Sequence, residues 1–383
     1  MNTRQRPALR IIVRSEMVAQ PIMDRAKSEL PFPIQFEMID SLKGLQRVVS
    51  QPDSFDVYHQ WHTVDLMWTA KAIQPFDLDK LRFGKALLAR ARRPLGAHPF
   101  AGIFVQPDGR LGSAPTSRTA ILPITQGVDC FGYHRSLREK IGADEPESWS
   151  WLLDSRLRGH VALVADPVLG MIEAALATEA ADGIQFSNLA NLAIEEIDHV
   201  VDGLIQRKKQ GHFKGFWADS EESARLMRRG GVLAQSIFGP TVQRLRGEGY
   251  PLVIANAVEG GRGWHSDLCI STTTRGELLE AAYAYADWWL SGYPGAAASR
   301  QGYYTILPET AKPYLSAAEW GYWYDGQEAS EALSDVYGRP VIARGQRRDG
   351  GSYSERMASV RVWNAFMDEH TYLTHRWREF MEA

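Results

Sequence analysis

Residues 9–59 carry the pattern that decides the fold: Leu9-Arg-Ile-Ile-Val13, a helical stretch over Ala19–Leu30, the alternating Gln35-Phe-Glu-Met-Ile39, a helix from Ser41, and Phe55-Asp-Val-Tyr-His59. Short apolar runs separated by helices of about 10–15 residues predict βαβ units on a parallel sheet. Further along, Phe104-Val-Gln-Pro-Asp-Gly-Arg-Leu111 sets a Pro-Asp-Gly turn between two apolar runs and predicts a hairpin laid on that core. A second series starts near Ile121, with strands over Ala120–Ile124, Cys130–His134 and His160–Ala165. It continues with helices over Pro167–Ala181, Leu189–Gln210 and Ser220–Arg229, then strands over Val232–Ile237 and Leu252–Ala255. Asp219 with Glu222, and Thr274 with Glu277 before a helix over Arg275–Leu290, read as capping boxes. A last helix is expected through Trp363, Phe366, Tyr372, Trp377 and Phe380, and the basic loop Arg344–Gly351 is expected to be a solvated turn.

Outward from these elements, the composition bounds the function. At roughly 100–200 residues per domain, 383 residues hold two or three packing units. Hydrophobic residues at 44% and charged residues at 23% fit a soluble globular chain, and a net charge of -3 gives no electrostatic reason to expect nucleic acid or an anionic membrane. The two cysteines, Cys130 and Cys269, lack metal-ligand spacing and argue against a disulfide framework or a zinc site. No phosphate loop, HExxH or GxSxG occurs, and Gly260-Gly-Arg-Gly263 lacks the spacing of a dinucleotide loop, so neither a cofactor nor a metal is expected. The run Leu9–Val13 is far below the roughly 18 residues of a membrane span, and no signal-peptide core is visible. The expectation is a cytoplasmic chain or a mature form that has lost a leader.

Four segments then stand in a telling order: Leu9–Arg14, Phe55-Asp-Val-Tyr-His-Gln-Trp-His62, Ile121-Leu-Pro-Ile-Thr-Gln-Gly127 and Glu259-Gly-Gly-Arg-Gly-Trp-His-Ser-Asp-Leu268. With Ser148–Asp154, Leu157–Leu163 and Gly302-Tyr-Tyr-Thr-Ile-Leu-Pro-Glu309, the chain from about residue 9 to about 310 resembles the solute-binding proteins of bacterial ABC importers, extracellular family 1, and within them the spermidine- and putrescine-binding branch. The resemblance implies an α/β fold of two lobes (type II periplasmic-binding-protein-like), joined by crossing strands and hinging shut on a ligand cleft. Lobe 1 would be residues 1–127 plus 263–308, and lobe 2 residues 128–262 plus 309–383. It implies capture of a small polar organic solute (zwitterion, organic acid or amine), ABC permease subunits as partners, a monomer, and a periplasmic or outer-surface location. Catalytic residues, cofactor and metal would be absent.

The ligand contacts the resemblance implies are mixed. The stacking tryptophan matches Trp264 and the later tyrosine Tyr303. The acid that pairs with an amine in polyamine binders falls on Ser266, with Asp267 one place out of phase on a strand of period two. Asp166 fits one acidic position and equally reads as the cap of the helix from Pro167, while the next falls near the apolar Leu169. First-lobe positions fall near Arg14 and Met17, and strand-end polar positions fall on Gln60 and His62. Thr125 and Phe238 complete the set, Phe238 serving equally as a turn anchor. Period two sends His59 and His62 to opposite sides, so His62 is the one expected to face ligand. Few acids and an added arginine suit a zwitterion or organic acid better than a bare diamine. The alternative is an enzyme of the same fold resembling thiaminase I with Cys130 as nucleophile, against which a buried strand cysteine is the simpler reading.

Overall fold

In a computed structural model the described residues are 6–14, 17–39, 41–61, 63–93 and 98–383, with the side chains at 41 and 42 left aside. The chain divides into two compact units, Met1–Gly127 with Trp264–Trp320 and Val336–Gly338, and Val128–Gly263 with Gly321–Asp335 and Arg339–Ala383.

The first unit is built on a sheet in the order Tyr304–Thr305, Leu122–Asp129, Gly261–Ser271, Val57–Gln60, Leu9–Val13, Ile34–Met38. Leu9–Val13 runs parallel to both Ile34–Met38 and Val57–Gln60. Its apolar run is the mark of a strand covered on both faces: Leu9, Ile11, Ile12 and Val13 are all at most 1% exposed. One face is covered by the helix Gly276–Leu290, whose Tyr285 and Trp289 pack edge-on against His59. On the other face, Gly44 in the helix Ser41–Ser50 lets that backbone approach Tyr58. The expected hairpin forms, Phe104–Val105 pairing with Leu111–Gly112 in a small second sheet. Glu309–Trp320, expected with the second lobe, clusters here. Gly292 at φ 117° passes so close to Thr310 that any side chain there would strike the Thr310 carbonyl.

The second unit has a sheet in the order Phe213–Trp217, Val161–Val164, Ala234–Gln235, Gly132–His134, Leu252–Ile254. Val161–Val164 is parallel to its two neighbours and buried along its length. The helix Pro167–Asp182 follows it and is buried on nearly every side, since Gly170 leaves room for Trp377 of the terminal helix His370–Glu382. Phe131, Tyr133, Trp149 and Trp151 form an edge-to-face cluster in the same core.

Three local expectations are corrected. Asp219 caps its helix by accepting from Glu222 N, but Thr274 does not cap: its hydroxyl donates to Asp56 Oδ1 at 3.1 Å, and Arg275 stands at the N-cap without a side-chain bond. Trp363 belongs to the strand Val360–Trp363, and the helix starts only at His370. In the basic loop Arg348 is buried, donating to the Trp323 carbonyl at 2.7 Å with its guanidinium over that ring. Among the described residues no helix is long and apolar enough to cross a membrane.

Candidate functional site

In the first unit the parallel strands Leu9–Val13 and Val57–Gln60 end side by side, which is where open α/β sheets present ligand-binding side chains. Arg14 follows the first strand directly, and its carbonyl accepts from Met17 N and Val18 N in a tight turn. The guanidinium carbon lies over the Trp61 ring, 4.0 Å from its centroid, a cation–π contact just past the end of the second strand. Arg14 Nε and Nη1 are buried, yet among the described residues no hydrogen-bond acceptor reaches either. Arginine keeps its charge at any physiological pH, so these donors cannot be relieved by losing a proton.

Gln60, in contrast, is fully engaged. Its Nε2 donates to Asp267 Oδ2 at 2.7 Å, and its Oε1 accepts from Thr63 N at 3.1 Å and Thr63 Oγ1 at 2.9 Å. Asp267 is 0% exposed and also meets His265 Nδ1 at 2.8 Å. Burial pushes its carboxyl up from the ordinary range, and His265 opposes that. Ser266 is buried with its hydroxyl 3.4 Å from the Gln60 carbonyl. Gln60, Ser266 and Asp267 therefore hold the sheet end together, and the sequence had no means of pairing them.

Trp264 and Tyr303 are brought together edge-to-face, centroids 4.8 Å apart, and Met17 packs on the pair with Ala298. Each is only 5% exposed, so both are packed walls here. A Cβ on Gly127 would stand 2.6 Å from the Trp264 ring, which explains a glycine in that strand. Trp264 Nε1 is a further buried donor without an acceptor. Thr125 is buried on the neighbouring strand, paired with Thr305. His62 lies outside the described residues. His59 faces away, 2.8 Å from the Tyr285 hydroxyl, and burial pushes its imidazole down to about 3.

In the second unit Asp166 is occupied by the backbone: Oδ1 accepts from Val168 N at 2.9 Å and Leu169 N at 3.0 Å, with Pro167 in the first helical turn. Phe238 precedes the helix Gly239–Gly247 and packs edge-on to Trp217 at 4.9 Å, with the Arg262 guanidinium 5.4 Å from its ring centroid. Arg262, passed over in the sequence as part of a glycine cluster, is 1% exposed and donates to Glu173 at 3.0 Å, Asn364 at 2.9 Å and Asp129 at 3.1 Å. The flanking glycines were the available signal, because a Cβ at Gly261 or Gly263 would collide with Val128 or Trp363. An open pocket of about 250 Å³ bordered by Arg158, Arg207 and His212 lies at the amino ends of this sheet's parallel strands, opposite Asp166 and Phe238. Burial pushes the Cys130 thiol up to about 12, and the nearby Glu173 and Glu147 add to the rise, so it is a neutral core thiol. Among the described residues no group of three His, Cys, Asp or Glu is placed to hold a metal.

No protein-family model and no curated protein matches the sequence. Solved structures match over nearly its whole length. The spermidine/putrescine ABC transporter substrate-binding protein PotD from Streptococcus pneumoniae strain Canada MDR_19A, in complex with calcium and HEPES, superposes with a TM-score of 0.64 at 16% identity, covering 98% of this chain and 99% of that one. An ABC transporter substrate-binding protein from Bradyrhizobium japonicum USDA 110 gives 0.61 at 16%, covering 98% and 100%. The PBP MotA from A. tumefaciens B6, in complex with glucopine, gives 0.57 at 12%, covering 98% and 99%. The chain thus has the α/β fold of ABC-transporter substrate-binding proteins.

Proposed function

We propose that this chain is the substrate-binding component of an ABC importer. It captures a small polar organic solute in the periplasm or at the outer cell surface, and hands it to membrane permease subunits without chemical turnover. The observation that carries the reading is the full-length likeness to substrate-binding proteins named for such transporters. The strand-end cluster around Arg14 supports it, because aromatic faces and unpaired donors recognise a solute and supply neither a nucleophile nor a proton shuttle. The thiaminase-like alternative has no support in the buried, protonated Cys130.

A thermal-shift screen over amines, amino acids, carboxylates and phosphonates tests the reading. A ligand at 100 times its Kd adds about 2.7 kcal/mol to stability, so a captured solute raises Tm measurably and is recovered unchanged. Consumption of thiamine or a pyrimidine, with no solute raising Tm, would refute it.

A further inference from the structure

Resting on that reading, we propose that the solute carries a carboxylate and that Arg14 is the residue that takes it. Arg14 Nε and Nη1 are buried without an acceptor, and a guanidinium left in that state is strongly destabilising unless something supplies oxygen atoms to it. The guanidinium carbon lies over the Trp61 ring, and Nε and Nη1 belong to different donor edges of the planar cation, each of which suits a carboxylate oxygen. Arg14 directly follows the carboxyl end of a parallel strand, the end at which open α/β sheets bind ligands.

Among the described residues the acid near this sheet end is spent, and Glu16, the other carboxylate that could meet an ammonium group, lies outside the described residues. Asp267 is fully buried and bound to Gln60 and His265, and at the position next to it stands Ser266, apposed to the Gln60 carbonyl. A second donor without an acceptor, Trp264 Nε1, stands on a strand of the same sheet, and Met17 of the Arg14 turn packs on that tryptophan. Among the described residues the balance of this sheet end is therefore toward donors, which favours an anionic end group.

The test uses the full chain and four probes at one ionic strength. Succinate, 4-aminobutanoate and putrescine share a four-carbon length and differ in their end groups, and inorganic phosphate supplies a tetrahedral anion. Arginine Nε–Hε signals are followed by NMR, with R14Q identifying the one from Arg14, and affinities are measured by calorimetry. The two carboxylates should move the Arg14 signal saturably and putrescine should not. R14Q should weaken carboxylate binding by about tenfold or more, R14K should keep part of it, and unliganded R14Q should melt no lower than wild type, which a structural arginine would not permit. The inference fails if neither carboxylate moves the signal saturably, or if phosphate is preferred to both. Putrescine bound equally by wild type and R14Q would overturn it while leaving solute capture intact. Absence of binding across the whole solute screen would instead remove the reading beneath it.

Discussion

Two arginines beside aromatic rings, one in each unit, show what decides the job of a buried guanidinium. Arg262 faces Phe238 and has an acceptor for each of its three nitrogens, from Glu173, Asn364 and Asp129. Arg14 lies over Trp61 and has two buried nitrogens with none among the described residues. The residue type and the ring contact are alike, so the difference lies in the partners. Arg262, whose acceptors come from its own chain, is a strut, and under the proposal made above Arg14 takes the other part, that of a receptor. The carboxylates follow the same rule, since Asp166 and Asp267 are committed within their own units.

The comparison is broken most severely at Arg262. Replacing it by methionine strands Glu173 in the core, and the expected loss is about 3–5 kcal/mol in denaturant unfolding, with the Arg262→Met/Glu173→Gln pair recovering a large part. A smaller effect should appear on acidification, because His59 is a buried base that has escaped Arg14's problem by staying neutral. Burial lowers its pKa from 6.5 to about 3, so below pH 6.5 the unfolded chain takes up a proton that the folded chain refuses. Stability is then complete above pH 7 and drains as the pH falls toward 3, by roughly 2 kcal/mol between pH 7 and pH 5 from this group. His59→Gln should flatten that part of a Tm-against-pH curve.

Next is Asp166→Ala, expected to cost about 1 kcal/mol through the lost helix cap while leaving solute affinity unchanged, with Asp166→Asn retaining the cap. A large loss of affinity without a loss of stability would make Asp166 a ligand contact after all. Smallest is Arg14→Gln, whose unliganded stability should stay within about 0.5 kcal/mol of wild type or rise, in plain contrast to Arg262.

The strand–helix order of both units is legible because burial writes its period into the chain: Leu9–Val13 and Val161–Val164 are continuous apolar runs, and the helix Gly276–Leu290 repeats on helical spacing. The position of Arg14 is legible too, as a charge placed immediately after such a run, and its contact with ligand is the proposal made above. What a single sequence hides is register and partnership. The Gln60–Asp267 bond joins strands from distant parts of the chain, and nothing local marks Thr274 as the partner of Asp56 rather than a cap. The terminal aromatics mislead for a related reason, since Trp363 continues the aromatic spacing but is claimed by a strand pairing with Gly263.

The division of the chain into interleaved segments has a kinetic consequence. Gln60 and Asp267 are 207 residues apart in sequence, yet they share one buried hydrogen bond, and the second unit's central helix Pro167–Asp182 rests on Trp377 near the last residue. Closing such long loops delays the native pairings, and chains rich in them fold slowly. During synthesis the first 127 residues emerge with a half-built sheet whose central partner strand, Gly261–Ser271, does not yet exist, and the other unit waits for its final helix. Neither unit can therefore complete its core before a segment distant in sequence has been made.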